Sequence, residues 1–234
     1  FLFYIRRSLE ETEEFLQQKQ HPTMSQVFST LARNWPIVVL GMLLVGMTTI
    51  AFYTITVYTP TFGKSVLKLS DTDSLLVTFC VGLSNFIWLP VMGAVSDRVG
   101  RKPVLLVFSA LTLVTAYPAL SWLVSNVSFV NMLIVLLWFS FLYGSYNGAM
   151  VVALTEVVPR HVRTAGFSLA YSLATALLGG FTPLISTWLI EATGNRAAPA
   201  FWLAFGGACG LISTLLIYGE RTSRVVAARE TFPA

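Results

Sequence analysis

Six long apolar stretches without Asp, Glu, Lys or Arg follow one another along the chain: Trp35–Thr59, Ser74–Val95, Pro103–Val124, Phe129–Val152, Ala165–Ile190 and Ala198–Tyr218. Each supplies the roughly 20 apolar residues that a helix needs to cross about 30 Å of hydrocarbon. The pattern therefore predicts six membrane-spanning helices. A water-soluble helical bundle would show one polar stripe per helix, and several of these runs have almost none. Pro60, Pro90, Pro118 and Pro183 punctuate the spans, which divide into two similar triplets. Inverted repeats of three helices are a common plan in membrane transporters, although the internal similarity here is weak.

Composition agrees with the pattern. Hydrophobic residues make up 55% of the chain and charged residues 11%, with a mean hydropathy of +0.71; globular domains carry about 25% charged residues. Charge is placed unevenly. Arg6, Arg7, Lys19 and Arg33 precede the first span, Arg98, Arg101 and Lys102 follow the second, Arg160 and Arg163 follow the fourth, and Arg221, Arg224 and Arg229 follow the sixth. The intervening connections hold only Lys64, Lys68 and Arg196. The positive-inside rule then predicts that both ends of this segment are cytoplasmic. The net charge of +4 is a topology signal, not a nucleic-acid footprint. Cys80 and Cys209 fall within apolar spans, and His21 and His161 are far apart, so neither a disulfide framework nor a metal site is expected. No cofactor motif is present.

The first residues, "FLFYIRRSLEETEEF", lack an initiator Met or a signal peptide. Phe1–Ile5 read as the last turn of an earlier apolar span, which predicts a fragment of a longer chain. Ser8 and Glu11 fit a capping box, and the acids Glu10, Glu11, Glu13 and Glu14 suit a helix N-terminus. A surface helix is expected from Ser8 to about Gln20, followed by a linker around His21–Pro22. The expected organisation is a linker over 1–34, a six-helix bundle over 35–219 and a cytoplasmic tail over 220–234.

The connection "GAVSDRVGRKPV", Gly93–Val104, concentrates charge in a chain that has little. Its glycines and proline have clear roles: Gly93 permits close approach near the end of the second span, Gly100 supplies the turn, and Pro103 can open the next helix. The bases suit membrane anchoring, but anchoring explains neither Asp97 nor the glycines.

The run Gly93…Asp97-Arg98-Val-Gly100-Arg101-Lys102 resembles the G-x-x-x-D-R-x-G-R-[RK] signature of the major facilitator superfamily. Glu156, Pro159 and Arg163 resemble its E-x-x-P-x-x-x-R pattern at the end of the fourth helix. The stretches "YIRRSLEETEEF", "GLSNFIWLPVMGAVSDR" and "LLWFSFLYGSYNGAMVVALTEV" are similar to the metabolite–proton symporter branch, and nearest there to the bacterial citrate–proton symporters. The resemblance implies an all-α membrane protein, the six-helix C-terminal half of such a transporter. It also implies a cytoplasmic gate in which Asp97, Arg98 or Arg101, Glu156 and Arg163 form a charge network that breaks when the carrier opens inward. Thr164 departs from the pattern, since many relatives carry Gly there.

Polar residues within the spans are the candidate cavity wall, because transporter sites lie near the bilayer midplane. In the fifth span Ser168, Tyr171, Ser172, Thr175 and Gly179 form one expected stripe. In the fourth, Tyr143, Tyr146, Asn147 and Met150 are expected on one face, with Gly144 and Gly148 forming a GxxxG pattern for close packing. The first span offers Thr49, Tyr53 and Thr56, and the second the single amide Asn85. A lone Ser or Thr in a membrane helix often bonds its own i−4 carbonyl instead of a ligand. An amide has more bonding sites to satisfy, so Asn147 and Asn85 are harder to account for in that way; Tyr53, Tyr146 and Asn147 are the foremost individual candidates. The third and sixth spans look almost featureless, and the resemblance implies that they support the cavity from the lipid side.

No Asp, Glu, Lys, Arg or His lies mid-span. A polycarboxylate needs cationic partners and proton coupling needs a titratable group, so both are expected in an N-terminal six-helix half that partners this one. The resulting expectation is proton-coupled symport of citrate or a related tricarboxylate across the bacterial inner membrane. The alternatives are another substrate of the same branch (a dicarboxylate, a shikimate-like acid or a betaine) or a non-transporting membrane sensor. Expected partners are a small organic acid, protons and membrane lipid, with no nucleic acid and no enzymatic activity.

Overall fold

A computed structural model describes residues 35–158 and 163–230, with side chains described through Gly219 except that of Ile37. The expected surface helix and linker over 1–34, together with Pro159, lie outside the described residues. Helix α1 (Trp35–Phe52) continues through a wide π turn, Tyr53–Val57, a single helical turn, Thr59–Thr61, and a second π turn, Phe62–Val66. Then follow α2 (Asp71–Val99), α3 (Arg101–Ser125), α4 (Phe129–Val157), α5 (Arg163–Ala174), a third π turn at Thr175–Gly179, α6 (Thr182–Thr193) and α7 (Pro199–Glu230). Six segments among the described residues are long and apolar enough to cross a membrane: Val38–Val57, Asp71–Val99, Arg101–Ser125, Phe129–Val157, Arg163–Thr193 and Pro199–Gly219.

Two boundaries differ from the apolar runs for local reasons. The second helix begins before its apolar run because Ser70 caps it, its Oγ accepting from the Asp73 N–H at 3.0 Å, with Asp71 and Asp73 favoured in the first turn. It ends beyond the run at Gly100, whose φ of +92° lets the chain turn directly into α3. Helix α3 therefore starts at Arg101, with Pro103 third in its first turn. The fifth span is broken by its π turn, whereas its apolar run reads as continuous.

Helices α1 and α4 form the centre. Helix α4 packs on α2, α3 and α1, while α1 packs on α7 and α5, and α3 pairs with α7. In lipid there is little hydrophobic drive between helices, so small residues and close backbone approach hold such a bundle. A Cβ on Gly148 would lie 2.8 Å from Gly93 N and 2.9 Å from Leu89 O, and one on Gly207 would lie 2.9 Å from Leu113 N. The first contact seats α4 on α2; the second seats α7 on α3. The second and fifth spans are the least enclosed, each with 22% of its apolar window buried, against 61% for the first. Large side chains such as Phe86 and Val114 face outward.

Candidate functional site

Two groupings emerge from the predicted residues. The first lies at the charged end of the bundle. Because Gly100 reverses the chain so tightly, Arg101 at the start of α3 reaches back over the last turn of α2. Its Nη2 lies 2.7 Å from Asp97 Oδ1 and its Nη1 donates to Ser96 O at 2.8 Å. Its Nε sits 3.8 Å from Glu156 Oε1, an ion pair beyond hydrogen-bond length. Ser96 is itself buried and donates to Gly93 O at 2.8 Å. Arg101 thus ties the α2–α3 turn to the end of α4, with its side chain 19% exposed against 64% for Asp97.

Arg101, not Arg98, takes the basic place in this cluster, since Arg98 is exposed and has no ion pair among the described residues. Arg163, expected with Glu156, is likewise exposed and forms no ion pair among the described residues. The physical reason is local: the end of α4 faces the α2–α3 turn, where Arg101 is anchored on three sides.

The second grouping lies within the spans. Asn147 Nδ2 donates to Tyr143 Oη at 3.3 Å, one helical turn away on α4. Tyr143 is buried, with its ring 5.9 Å from that of Phe52. Tyr171 on α5 stacks its ring on that of Phe167 at 5.8 Å. Tyr53 opens the first π turn, and Gly179, closing the third, is where the two meet: a Cβ there would lie 3.0 Å from the Tyr53 ring. Asn147 and Tyr143 are buried, whereas Phe52, Tyr53 and Tyr171 are partly exposed.

Other candidates are placed elsewhere. Tyr146 is fully buried and donates to Leu44 O at 2.9 Å, with Thr214 beside it, so it binds α4 to α1 and α7. Successive helix residues are about 100° apart, and this separates Tyr146 from Asn147 although they are neighbours in sequence. Asn85 Oδ1 accepts from Ser140 Oγ at 2.7 Å, a link between α2 and α4. Thr49 donates to Gly46 O and to Ala174 O, joining α1 to α5, and Thr56 donates to Phe52 O on its own helix. The fifth-span stripe also divides. Ser168 and Ser172 are exposed, Tyr171 and Thr175 half-buried, and Gly179, beyond the start of the π turn, is packed on α1.

Sequence reasoning missed the polar residues of the sixth span. Ser213 and Thr214 are both fully buried, and their spacing after Gly210 was the available signal. Among the described residues no group of His, Cys, Asp and Glu could hold a metal ion.

The Major Facilitator Superfamily model matches residues 1–181 and 76–232. The chain belongs to this superfamily. It is 58% identical to the citrate-proton symporter of Klebsiella pneumoniae over 98% of its own length and 52% of that protein. It is 54% identical to the citrate-proton symporter of Salmonella typhi over 97% of itself and 52% of that protein. A proline/betaine transporter of Escherichia coli is 29% identical, over 90% of this chain and 44% of its own length. The chain thus spans about half the length of the curated relatives it matches, and corresponds to their C-terminal half.

Proposed function

We propose that this chain forms the six-helix half of a proton-coupled symporter carrying citrate or a related tricarboxylate across the bacterial cell membrane by alternating access. The identity of 58% with a citrate-proton symporter over nearly the whole chain carries this reading. Its charged end faces the cytoplasm, as the uneven placement of the bases favours. There Asp97, Arg101 and Glu156 act as half of a gate. The half contributes a neutral wall of hydroxyl and amide groups, and the cationic and protonatable residues that a polycarboxylate and its protons need come from the partner half. The two halves rock about a midplane site.

Uptake of labelled citrate into vesicles containing the full-length protein tests the proposal. An imposed inward proton gradient should drive accumulation, a protonophore should abolish it, and tricarballylate but not betaine should compete. Betaine uptake without citrate uptake would overturn it in favour of the zwitterion carriers.

A further inference from the structure

Resting on the transport reading above, we propose that Tyr143 and Asn147 together form a subsite for an α-hydroxycarboxylate, the grouping in which a hydroxyl and a carboxylate share one carbon. Asn147 is 9% exposed, and its Oδ1 is buried with no hydrogen-bond partner among the described residues. Its Nδ2 is engaged by Tyr143 Oη at 3.3 Å. That bond uses the phenol as acceptor, so the phenolic hydrogen remains free to donate. The pair therefore presents one free donor and one free acceptor, a helical turn apart on the same face of α4. Turning the amide over exchanges which side chain donates and which accepts, and still leaves one of each.

An α-hydroxycarboxylate is the matching partner. Its carboxylate takes the donor, and its hydroxyl gives a hydrogen to the acceptor. A plain carboxylate has no hydrogen to offer, and would leave the second group unpaired at a site where that is costly. The Phe52 ring, 5.9 Å from that of Tyr143, lowers the local dielectric, which strengthens both bonds. Hydroxyl discrimination by a buried polar pair is far stronger than any discrimination by shape alone. Thr175 opens the neighbouring π turn, and its buried Oγ1 also has no partner among the described residues.

The test compares paired competitors against labelled citrate uptake by the full-length protein: citrate with tricarballylate, and malate with succinate. Each pair differs at one hydroxyl. The hydroxy acid should compete at least about tenfold more tightly in the native protein. Asn147→Ala removes the acceptor for the hydroxyl, so the ratio should collapse to within about threefold while inhibition by tricarballylate stays where it was; Tyr143→Phe removes the donor to the carboxylate and should weaken both members of each pair. Asn147→Leu, close in volume, decides the matter if Asn147→Ala fails to insert. A native ratio near one, or a ratio that survives the Asn147 substitutions, overturns the subsite and leaves symport standing. If the native protein takes up no citrate, the transport reading fails instead, and the ratio is then read from equilibrium binding of the same four acids to the purified protein. A hydroxy preference there sustains the subsite; its absence overturns it.

Discussion

Tyr146 and Asn147 are adjacent in the chain and opposite in what they contact. Tyr146 points into the packed junction of α1, α4 and α7, with its hydroxyl on Leu44 O at 2.9 Å. Asn147 bonds Tyr143, one turn back on α4. Replacing Tyr146 with Phe should remove one buried bond, destabilising the bundle by about 1 kcal/mol. This should appear as a lowered Tm in detergent with the KM for citrate unchanged. A raised KM at unchanged Tm would return Tyr146 to the binding face. The sequence revealed that both residues are polar and mid-span. It did not reveal their rotation about the helix axis, because apolar neighbours surround α4 on every side and leave no amphipathic pattern to read.

At the scale of helices, close contact depends on which member of a glycine pair carries the steric limit. Gly93 and Gly148 meet where α2 crosses α4, but their surroundings are unequal. A Cβ on Gly148 would press on Gly93 N, Leu89 O and Met92 C at 2.8–3.2 Å, all backbone atoms that cannot move aside alone. A Cβ on Gly93 would find only Gly148 O, at 3.8 Å. Gly148→Ala should therefore cost about 1–3 kcal/mol and lower the yield of folded protein in size-exclusion chromatography. Gly93→Ala should fold normally. The GxxxG spacing of Gly144 and Gly148 was legible as a packing motif. The first and third π turns were not, since they meet at Tyr53 and Gly179, residues 126 positions apart.

For the whole molecule, the Arg101 cluster and the exposed face of α5 make separate predictions. Asp97 orients Arg101 toward Glu156, so Asp97→Asn should lower the citrate uptake rate severalfold while membrane insertion, followed by immunoblot of washed membranes, stays normal. Unchanged uptake would reduce the cluster to an anchor. Ser172 is exposed on α5 whereas Ser186 is fully buried. In a background without Cys80 and Cys209, Ser172→Cys should react with a hydrophilic maleimide and be protected by citrate. Ser186→Cys should stay unlabelled under the same conditions. Citrate-independent labelling of Ser172→Cys would place that face away from the transport path.

The sequence by itself determined six spans, their order and the uneven charge at their ends, because bilayer thickness and the cost of charge in hydrocarbon act on each segment locally. The resemblance of two short stretches to the superfamily's signatures also marked Asp97, Arg98 or Arg101, Glu156 and Arg163 as a set. Only the tertiary structure decided that Arg101 takes the place open to Arg98, that Arg163 makes no ion pair among the described residues, and that Asn147 bonds Tyr143 while Thr49, Asn85 and Tyr146 bind helix to helix. Those outcomes depend on helix rotation and on contacts between segments distant in the chain, and in a nearly uniform apolar sequence neither leaves a local trace.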